Sequence, residues 1–481
     1  MKIDRDLVEA AISTAQERIT SIVNSRVDDQ AVPGLVAAIF FEGEILYFQA
    51  AGERELGGPT PDVHTAFRVA SCTKSFTAAS VLLLRDRGLL TLDDPITKYV
   101  PRYSQAGPLS HCSPPTLRML LTMSAGFGTD DPWADREESI TPDELESHVE
   151  NGVYLVSVPG AQYEYSNLGY ALLGHVIELV TNESFPTFVH QEFFVPLGLK
   201  DSSFSLASSR ATSVATGYRR RGSEWLPQEF ASPGSFSSIG GAFSSARDLA
   251  TWASWLATAL KPEAAESGPL SLASRREMQQ LHVPMPFSNG AATTAETSGR
   301  LFGYGFALHV DFDKEMGKFI SHSGGYPGYS AHMRWHENSG VGVVVLENAR
   351  YSGAWATATN VLESVLPTLS HLSHTSDSDI LNEFVRRTSS LLFTWNDKLA
   401  NELFAPNVAL DIPYPERISE ISDLCKKVGG LQAVEEFEIE TNDSPLHARW
   451  SIPGQTENLL CEIRLTPVLP LKIQAFRISV A

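Results

Sequence analysis

A serine and a lysine three residues apart stand at the start of a predicted apolar helix. Ser71 and Lys74 precede a run that includes Phe76, Val81 and Leu84. Because positions i and i+3 share one face of a helix, the hydroxyl and the ammonium group would lie side by side. Free backbone N–H groups at the helix N-terminus could hold an oxyanion. A nucleophile, an amine to take its proton and oxyanion donors are the requirements of acyl-enzyme chemistry.

The Ser-x-x-Lys spacing alone is common, so its meaning depends on other stretches of the chain. Tyr165 and Asn167 lie in a loop that opens a helical run over residues 168–177. In an extended loop, residues two apart point to the same side. A phenol and a carboxamide on one side could carry a proton and hold a carbonyl group. The alternative is that Tyr165 packs under the loop and Asn167 caps the helix.

A third stretch, His322-Ser323-Gly324-Gly325, lies between two strand-like runs. In this order and with these wide gaps, the three stretches resemble the motifs of the serine β-lactamase and penicillin-binding-protein superfamily. The most similar branch is the class C-type one, which includes D-aminopeptidases, DD-peptidases and β-lactamase-like esterases. The resemblance covers about residues 30–350, and it includes the stretches 92–95, 120–126, 165–170, 196–199 and 322–325.

The resemblance implies a role for each side chain of the first two motifs. Ser71 would attack a carbonyl carbon and become acylated. Lys74 and Tyr165 would share the role of general base, and the sequence leaves open which of them takes the serine proton. We expect a nearby ammonium group to lower the pKa of the phenol. Asn167 would hold Lys74 and the carbonyl side of the substrate.

The same resemblance places the oxyanion hole at the backbone N–H groups of Ser71 and Gly325. His322, Ser323 and Gly324 would contact the substrate. Where β-lactamases usually carry a lysine in the third motif, this sequence has His322. Because a histidine is mostly neutral near pH 7, it anchors a substrate carboxylate more weakly than a lysine. We therefore expect amide, peptide or ester substrates rather than β-lactams.

The order of predicted elements indicates an α+β fold. The resemblance implies an antiparallel sheet flanked by helices, with a helical lobe beside it, as in β-lactamases and transpeptidases. We assign residues 1–370 to this catalytic domain, residues 371–378 to a linker, and residues 379–481 to a small α+β accessory domain of unknown role. The Ala-, Ser- and Gly-rich stretch 261–300 would be a surface excursion that could form a lid.

Composition excludes several classes of partner. The chain has 481 residues and a net charge of −20, so we expect no nucleic acid or membrane surface to bind it. We expect a small-molecule or short-peptide substrate instead, and the oligomeric state stays open. The N-terminus has no signal-peptide pattern, no run is long enough to span a bilayer, and the four cysteines are far apart, which together favour a cytoplasmic protein.

The favoured function is a serine hydrolase that acts through an acyl-enzyme on a small amide, peptide or ester. An acyltransferase of small-molecule biosynthesis would use the same acyl-serine and is the alternative. A non-catalytic binding protein on the same fold is a third hypothesis. We identify no nucleotide-binding or zinc-protease motif, and His332, His336 and Glu337 lack further ligands in the sequence, so we expect no metal ion and no cofactor.

Overall fold

The chain divides into two units, residues 4–367 and residues 368–481. The first unit is built around an antiparallel sheet. The computed structural model describes residues 3–206, 211, 213–285, 300–314, 316–373, 379–434, 437–441 and 444–481. The described strands, in chain order, are β1 (Gly34–Phe41), β2 (Glu44–Gly52), β3 (Thr65–Arg68), β4 (Gln105–Ala106), β5 (Val153–Tyr154), β6 (Ser213–Val214), β7 (Tyr218–Arg221), β8 (Glu224–Pro227), β9 (Phe243–Ser245), β10 (Val283–Pro284), β11 (Arg300–Tyr304), β12 (His309–Asp313), β13 (Gly317–Tyr326), β14 (Tyr329–His336), β15 (Gly342–Glu347), β16 (Ile439–Thr441), β17 (His447–Pro453), β18 (Asn458–Leu465) and β19 (Ile473–Val480).

Helices surround these strands in both units. The described helices, in chain order, are α1 (Arg5–Asp28), α2 (Thr73–Asp86), α3 (Leu117–Leu121), α4 (Asp131–Ala134), α5 (Pro142–Glu150), α6 (Asn167–Thr181), α7 (Phe185–Val189), α8 (Val195–Leu197), α9 (Ser237–Gly240), α10 (Ala246–Thr258), α11 (Leu272–Met278), α12 (Ala354–Ser373), α13 (Asp379–Phe393), α14 (Asp397–Leu403), α15 (Pro406–Asp411) and α16 (Tyr414–Lys427). None of the described helices has the length and apolar character needed to cross a membrane.

The central sheet has the order β10-β11-β12-β13-β14-β15-β1-β2, and each neighbouring pair is antiparallel. Every residue of β1, β14 and β15 is buried. Strands that are buried on both faces must be covered by other elements on each side of the sheet. Helices α1 and α10 pack against this part of the sheet. The predicted antiparallel sheet flanked by helices is confirmed.

A helical lobe lies beside the sheet, as predicted. Its helices α2, α6 and α9 pack against one another. The Phe76 ring of α2 stacks on Trp252 at 4.2 Å between ring centroids and meets Phe194 edge-on at 5.2 Å. Aromatic packing of this kind adds to the free energy gained from burial. It fixes α2, and with it Ser71 and Lys74 at the N-terminal end of that helix.

The second unit is itself α+β. Strands β16 to β19 form a four-stranded antiparallel sheet, against which α13, α15 and α16 pack. The indole N–H of Trp450 donates to the hydroxyl of Ser389 at 2.9 Å, which joins sheet and helix inside the core. Two helices of this unit, α13 and α14, are separated by residues 394–396. Asn396 caps α14 by accepting the backbone N–H of Leu399 at 3.0 Å.

Two predicted segments fall partly outside the described residues. Helix α12 runs to Ser373, so the first residues of the predicted linker 371–378 are helical, and residues 374–378 lie outside the described part of the chain. The predicted excursion 261–300 contains α11 and β10. Its residues 286–299 also lie outside the described part, so the lid stays a prediction.

Candidate active site

Ser71 lies in a tight turn that connects β3 to α2. The turn is a single 3-10 stretch, Ala70–Cys72, and α2 itself begins at Thr73, two residues later than the sequence indicated. Ala70 has a φ of +48°, a left-handed conformation that is unfavourable for a residue with a side chain. Backbone strain of this kind is concentrated at functional positions, where surrounding packing maintains it.

The amine of Lys74 lies against the hydroxyl of Ser71. Lys74 Nζ is 2.9 Å from Ser71 Oγ and donates to the backbone oxygen of Ile239 at 2.8 Å. The lysine side chain is fully buried. Burial lowers the pKa of Lys74 to about 8, although the negative charges of Asp131 and Asp135 oppose this shift. A lysine with this pKa is neutral often enough near pH 7 to accept a proton.

Tyr165 faces the same lysine across the site. Its ring centroid is 5.2 Å from Lys74 Nζ. Burial raises the pKa of Tyr165 well above its usual value, the charge of Asp131 raises it further, and the hydrogen bond with Ser71 opposes both. This direction is opposite to our expectation that the lysine would lower the phenol pKa. The phenol is therefore protonated at neutral pH, and of the two candidate bases Lys74 has the more suitable pKa.

Asn167 is the first residue of α6, and it contacts the acidic segment formed by Asp130 and Asp131. Its side-chain Nδ2 donates to Asp131 Oδ1 at 2.5 Å, and its backbone N–H donates to Asp130 Oδ1 at 2.7 Å. The two hydrogen bonds of Lys74 go to other groups, so the structure differs from the expectation that Asn167 holds Lys74. The amide Nδ2 can only donate, so it binds the Asp131 carboxylate, whereas a Lys74 ammonium group offers it no acceptor.

His322 in β13 is buried and electrically neutral. Burial lowers its pKa well below the usual value, and the neighbouring charges of His309 and Lys74 add to the effect. Its Nδ1 is 2.6 Å from the backbone oxygen of Ser323, so Nδ1 carries the proton and donates. Its Nε2 must then accept, and the hydroxyl of Tyr304 donates to it at 3.1 Å. A neutral imidazole fixed in this way offers no positive charge to a substrate carboxylate.

Ser323 is half-buried, and its hydroxyl is 2.8 Å from Nδ1 of His332 in the neighbouring strand β14. His332 is buried, and burial lowers its pKa well below the usual value. This histidine therefore acts as a neutral hydrogen-bond partner for Ser323.

The two glycines after Ser323 allow β13 to lie very close to the Ser71 turn. A Cβ atom on Gly324 would be 2.3 Å from the backbone oxygen of Val69, and a Cβ atom on Gly325 would be 2.2 Å from the ring of Tyr351. Neither distance is possible between atoms that are not bonded to each other. Residues at these positions must lack a side chain for Gly325 and Ser71 to line the same cavity.

The cavity beside Ser71 has a volume of about 290 Å³. Its lining brings together residues of all three sequence motifs, while Lys74 and Asn167 are buried and do not line it. The residues that line it are Ser71, Asp131, Tyr165, His309, His322, Ser323, Gly324, Gly325, Ser330, Tyr351, Gly353 and Trp355. The predicted site residues therefore surround one small cleft.

Sequence reasoning missed the acidic segment and the aromatic rim of this cleft. Asp131 lines the cavity, and the buried Asp135 accepts the hydroxyl of Tyr351. Trp355 lines the cavity next to Tyr351. In the sequence, the Asp130-Asp131 pair resembles an ordinary helix-capping signal. Its approach to Lys74 depends on tertiary packing that no local pattern indicates.

A comparison with protein-family models identifies the family of the chain. The family model described as Beta-lactamase matches residues 19–365, which is most of the chain. The chain belongs to the Beta-lactamase family. Protein flp of Staphylococcus aureus strain NCTC 8325 is 28% identical to it over 218 residues. That match covers 44% of this chain and 42% of the relative, so the chain spans less than half of the length of this curated relative.

Solved structures share the fold at low sequence identity. The octameric penicillin-binding protein homologue from Pyrococcus abyssi has a TM-score of 0.61 and 21% identity, and the match covers 97% of this chain and 100% of that one. The D-amino acid amidase from Ochrobactrum anthropi SV3 has a TM-score of 0.60 and 21% identity, and the match covers 74% of this chain and 99% of that one. Both structures have the β-lactamase type of fold.

Proposed function

We propose that this protein is a serine hydrolase that forms an acyl-enzyme at Ser71 with a small amide, peptide or ester. The 2.9 Å contact between Lys74 Nζ and Ser71 Oγ is the observation that supports this function best. Because burial brings the pKa of Lys74 to about 8, part of the protein carries a neutral amine near pH 7. That amine takes the serine proton while Oγ attacks the substrate carbonyl carbon.

The remaining groups of the cleft support the later steps. The backbone N–H groups of Ser71 and Gly325 stabilise the negative oxygen of the tetrahedral intermediate. Tyr165, which is protonated at neutral pH, donates its proton to the leaving nitrogen or oxygen, and the Lys74 ammonium group then reprotonates Tyr165 and becomes neutral. Water attacks the acyl carbon and gives a proton to the neutral Lys74. The bond between the acyl carbon and Oγ then breaks and Lys74 returns its proton to Oγ, which releases the carboxylic acid and restores Ser71 and the neutral amine.

Hydrolysis fits the described cleft better than transfer of the acyl group to an alcohol. The side chains at its rim are open to solvent, with Tyr351 47% exposed and Trp355 58% exposed. An acyltransferase must keep water away from its acyl-enzyme. The described lining offers water free access, so water is the expected acceptor.

The charges of the cleft favour a substrate with an ammonium group over one with a carboxylate. None of the described lining residues is a lysine or an arginine, and His322 is neutral. Asp131 supplies a carboxylate at the cavity wall. A positive group on the substrate would be attracted to Asp131, whereas the carboxylate of a β-lactam would meet no lysine or arginine in the described lining.

Paired substrates test this preference. We expect a higher kcat/KM for an aminoacyl p-nitroanilide with a free amine than for its N-acetylated form, with both D and L isomers examined. Asp131→Asn keeps the acceptor for Asn167 but removes the charge. The ratio of the two kcat/KM values should therefore fall by roughly fivefold to 10³-fold, because a charge pair about 4 Å apart is worth about 1 kcal/mol in bulk water and about 4 kcal/mol at an effective dielectric constant of about 20.

The exposed Asp28 provides the matched control, since Asp28→Asn removes a carboxylate at the end of α1. This control should leave the ratio unchanged. An unchanged ratio in Asp131→Asn, or faster turnover of a cephalosporin than of the free-amine anilide, would refute the charge preference. Absence of turnover with every ester and anilide would refute the hydrolase itself.

A further inference from the structure

A second cavity lies within the unit formed by residues 368–481. It has a volume of about 650 Å³, a size typical of pockets that hold small organic molecules. Helix α16 forms one wall, and strands β17, β18 and β19 contribute the other. Sequence reasoning found no site in this part of the chain.

Arg417 of α16 lines this cavity and is only 4% exposed. Its Nη1 and Nη2 donate to the backbone oxygens of Phe476 and Val408, both at 3.4 Å, which is long for an N–H···O hydrogen bond. Its Nε has no hydrogen-bond partner in the described structure. Within the described residues, Arg417 forms no ion pair with a carboxylate, although a buried guanidinium group strongly favours one.

The buried arginine Arg68 in the first unit shows the contrast. Its guanidinium group is paired with the buried carboxylate of Glu138 and donates from Nε to the backbone oxygen of Gly240. Burial also lowers the pKa of Arg417, and the nearest acidic groups, of which Glu420 contributes most, oppose this only in part. The guanidinium carbon of Arg417 also lies 5.6 Å from the centroid of the Phe476 ring, a cation–π contact, so within the described residues this charge is met by a ring and two backbone oxygens but by no paired carboxylate.

The charged side chains of the cavity wall, with Arg417 included, sum to one net positive charge. The wall carries four cations and three anions, namely Arg417, Lys427, Arg449, Arg477, Glu420, Asp423 and Glu462. Arg449 donates to Glu462 at 3.3 Å through Nη2, while its buried Nε has no partner in the described structure. A single negative charge on a ligand matches this balance, whereas a doubly charged phosphate would exceed it.

Apolar side chains complete the wall. They come from the segment before α16, from α16 itself and from two strands, and they are Ile412, Leu424, Leu460, Phe476 and Ile478. Such a wall is suited to the hydrocarbon part of a ligand, since burial of apolar surface is favourable by about 25 cal/mol per Å².

We propose that this cavity is a second ligand site that binds a small organic monocarboxylate with an apolar body. The ligand carboxylate accepts hydrogen bonds from Arg417, and its hydrocarbon part lies against Phe476 and the neighbouring aliphatic side chains. The planar fork of an arginine matches the two oxygens of a carboxylate. Binding would thus provide the buried guanidinium group with the negative partner that it lacks.

Isothermal titration calorimetry of the full chain with octanoate, octanol and octylamine at pH 7 tests this site. We expect saturable 1:1 binding of octanoate and no saturable binding of the two ligands without a carboxylate. Arg417→Met should weaken octanoate binding at least tenfold, because a charge-assisted pair is lost. Arg386→Met is the matched control, since Arg386 is an exposed arginine of α13 in the same unit, and it should bind octanoate like the wild type.

Two further variants make the result decisive. Ser71→Ala should bind octanoate normally, which would separate this site from the cleft beside Ser71. Arg449→Gln should also weaken binding, and it replaces Arg417→Met if that variant does not fold. No saturable binding of octanoate at millimolar concentration, equal binding of octanol, loss of binding in Ser71→Ala, or normal binding in both arginine variants that fold would each overturn the proposal.

Discussion

The pH dependence of acylation follows from the environment of Lys74. The amine must be neutral to take the proton of Ser71, and burial places its pKa at about 8. At that pKa about 1% of the lysine is neutral at pH 6 and about 90% at pH 9. The rate constant for acylation should therefore rise roughly 90-fold over this range, with its midpoint near pH 8, and level off above it.

The first turnover of p-nitrophenyl acetate measures this rate constant. Rapid mixing records the burst of p-nitrophenol, and Ser71→Ala gives the background hydrolysis of the ester at each pH. Asp131→Asn removes the negative charge that most opposes the lowered pKa of Lys74. Its pH profile should therefore be shifted to lower pH than that of the wild type.

Lys74→Arg separates the proton-accepting role of Lys74 from its positive charge. A guanidinium group stays protonated up to pH 9, so acylation should fall by about 10²–10⁴-fold, the usual range for loss of a general base. The exposed Lys98 gives the matched control, and Lys98→Arg should leave the rate unchanged. A flat profile between pH 6 and 9, or acylation in Lys74→Arg within tenfold of the wild type, would refute Lys74 as the base.

Two further substitutions test the support of the site. Arg68→Met would leave the buried Glu138 unpaired, so urea denaturation should show that the free energy of unfolding falls by about 3–5 kcal/mol. The matched control Arg221→Met, at an exposed arginine, should lower it by less than about 1 kcal/mol. Equal losses in the two variants would contradict this reasoning. Gly324→Ala would place a Cβ atom 2.3 Å from the backbone oxygen of Val69 and should reduce kcat/KM about 100-fold through displacement of β13. Gly128→Ala, whose nearest neighbour would be 3.4 Å away, should be nearly neutral, and similar activity of both glycine variants would show that the close approach is unimportant.

Local patterns predict the contact of Ser71 with Lys74 and the strand-like runs. The family resemblance, by contrast, implies the helical lobe and the grouping of Tyr165, Asn167 and His322 around that contact. The spacing of Ser71 and Lys74 fixes their contact within one helical turn, so it needs no tertiary information. The strand-like runs around His322 likewise predict the sheet. These features depend on residues close in the sequence.

The remaining features depend on groups far apart in the chain. The pKa of Tyr165 is raised because distant segments bury the phenol, and the sequence indicated only the nearby lysine. The Asn167 side chain donates a hydrogen bond to Asp131. This partner is within reach only because α4 packs beside α6. The unpaired guanidinium group of Arg417 is also visible only in the folded second unit, because α16 alone predicts an ordinary amphipathic helix.

Acylation of Ser71 is the most direct test of the proposed chemistry. Intact-mass spectrometry after brief exposure to p-nitrophenyl esters and aminoacyl anilides should show the added mass of one acyl group, and peptide mapping should place that group on Ser71. The Ser71→Ala variant should show no adduct and no turnover. Turnover by Ser71→Ala at the wild-type rate, or an acyl group on any residue other than Ser71, would contradict the account.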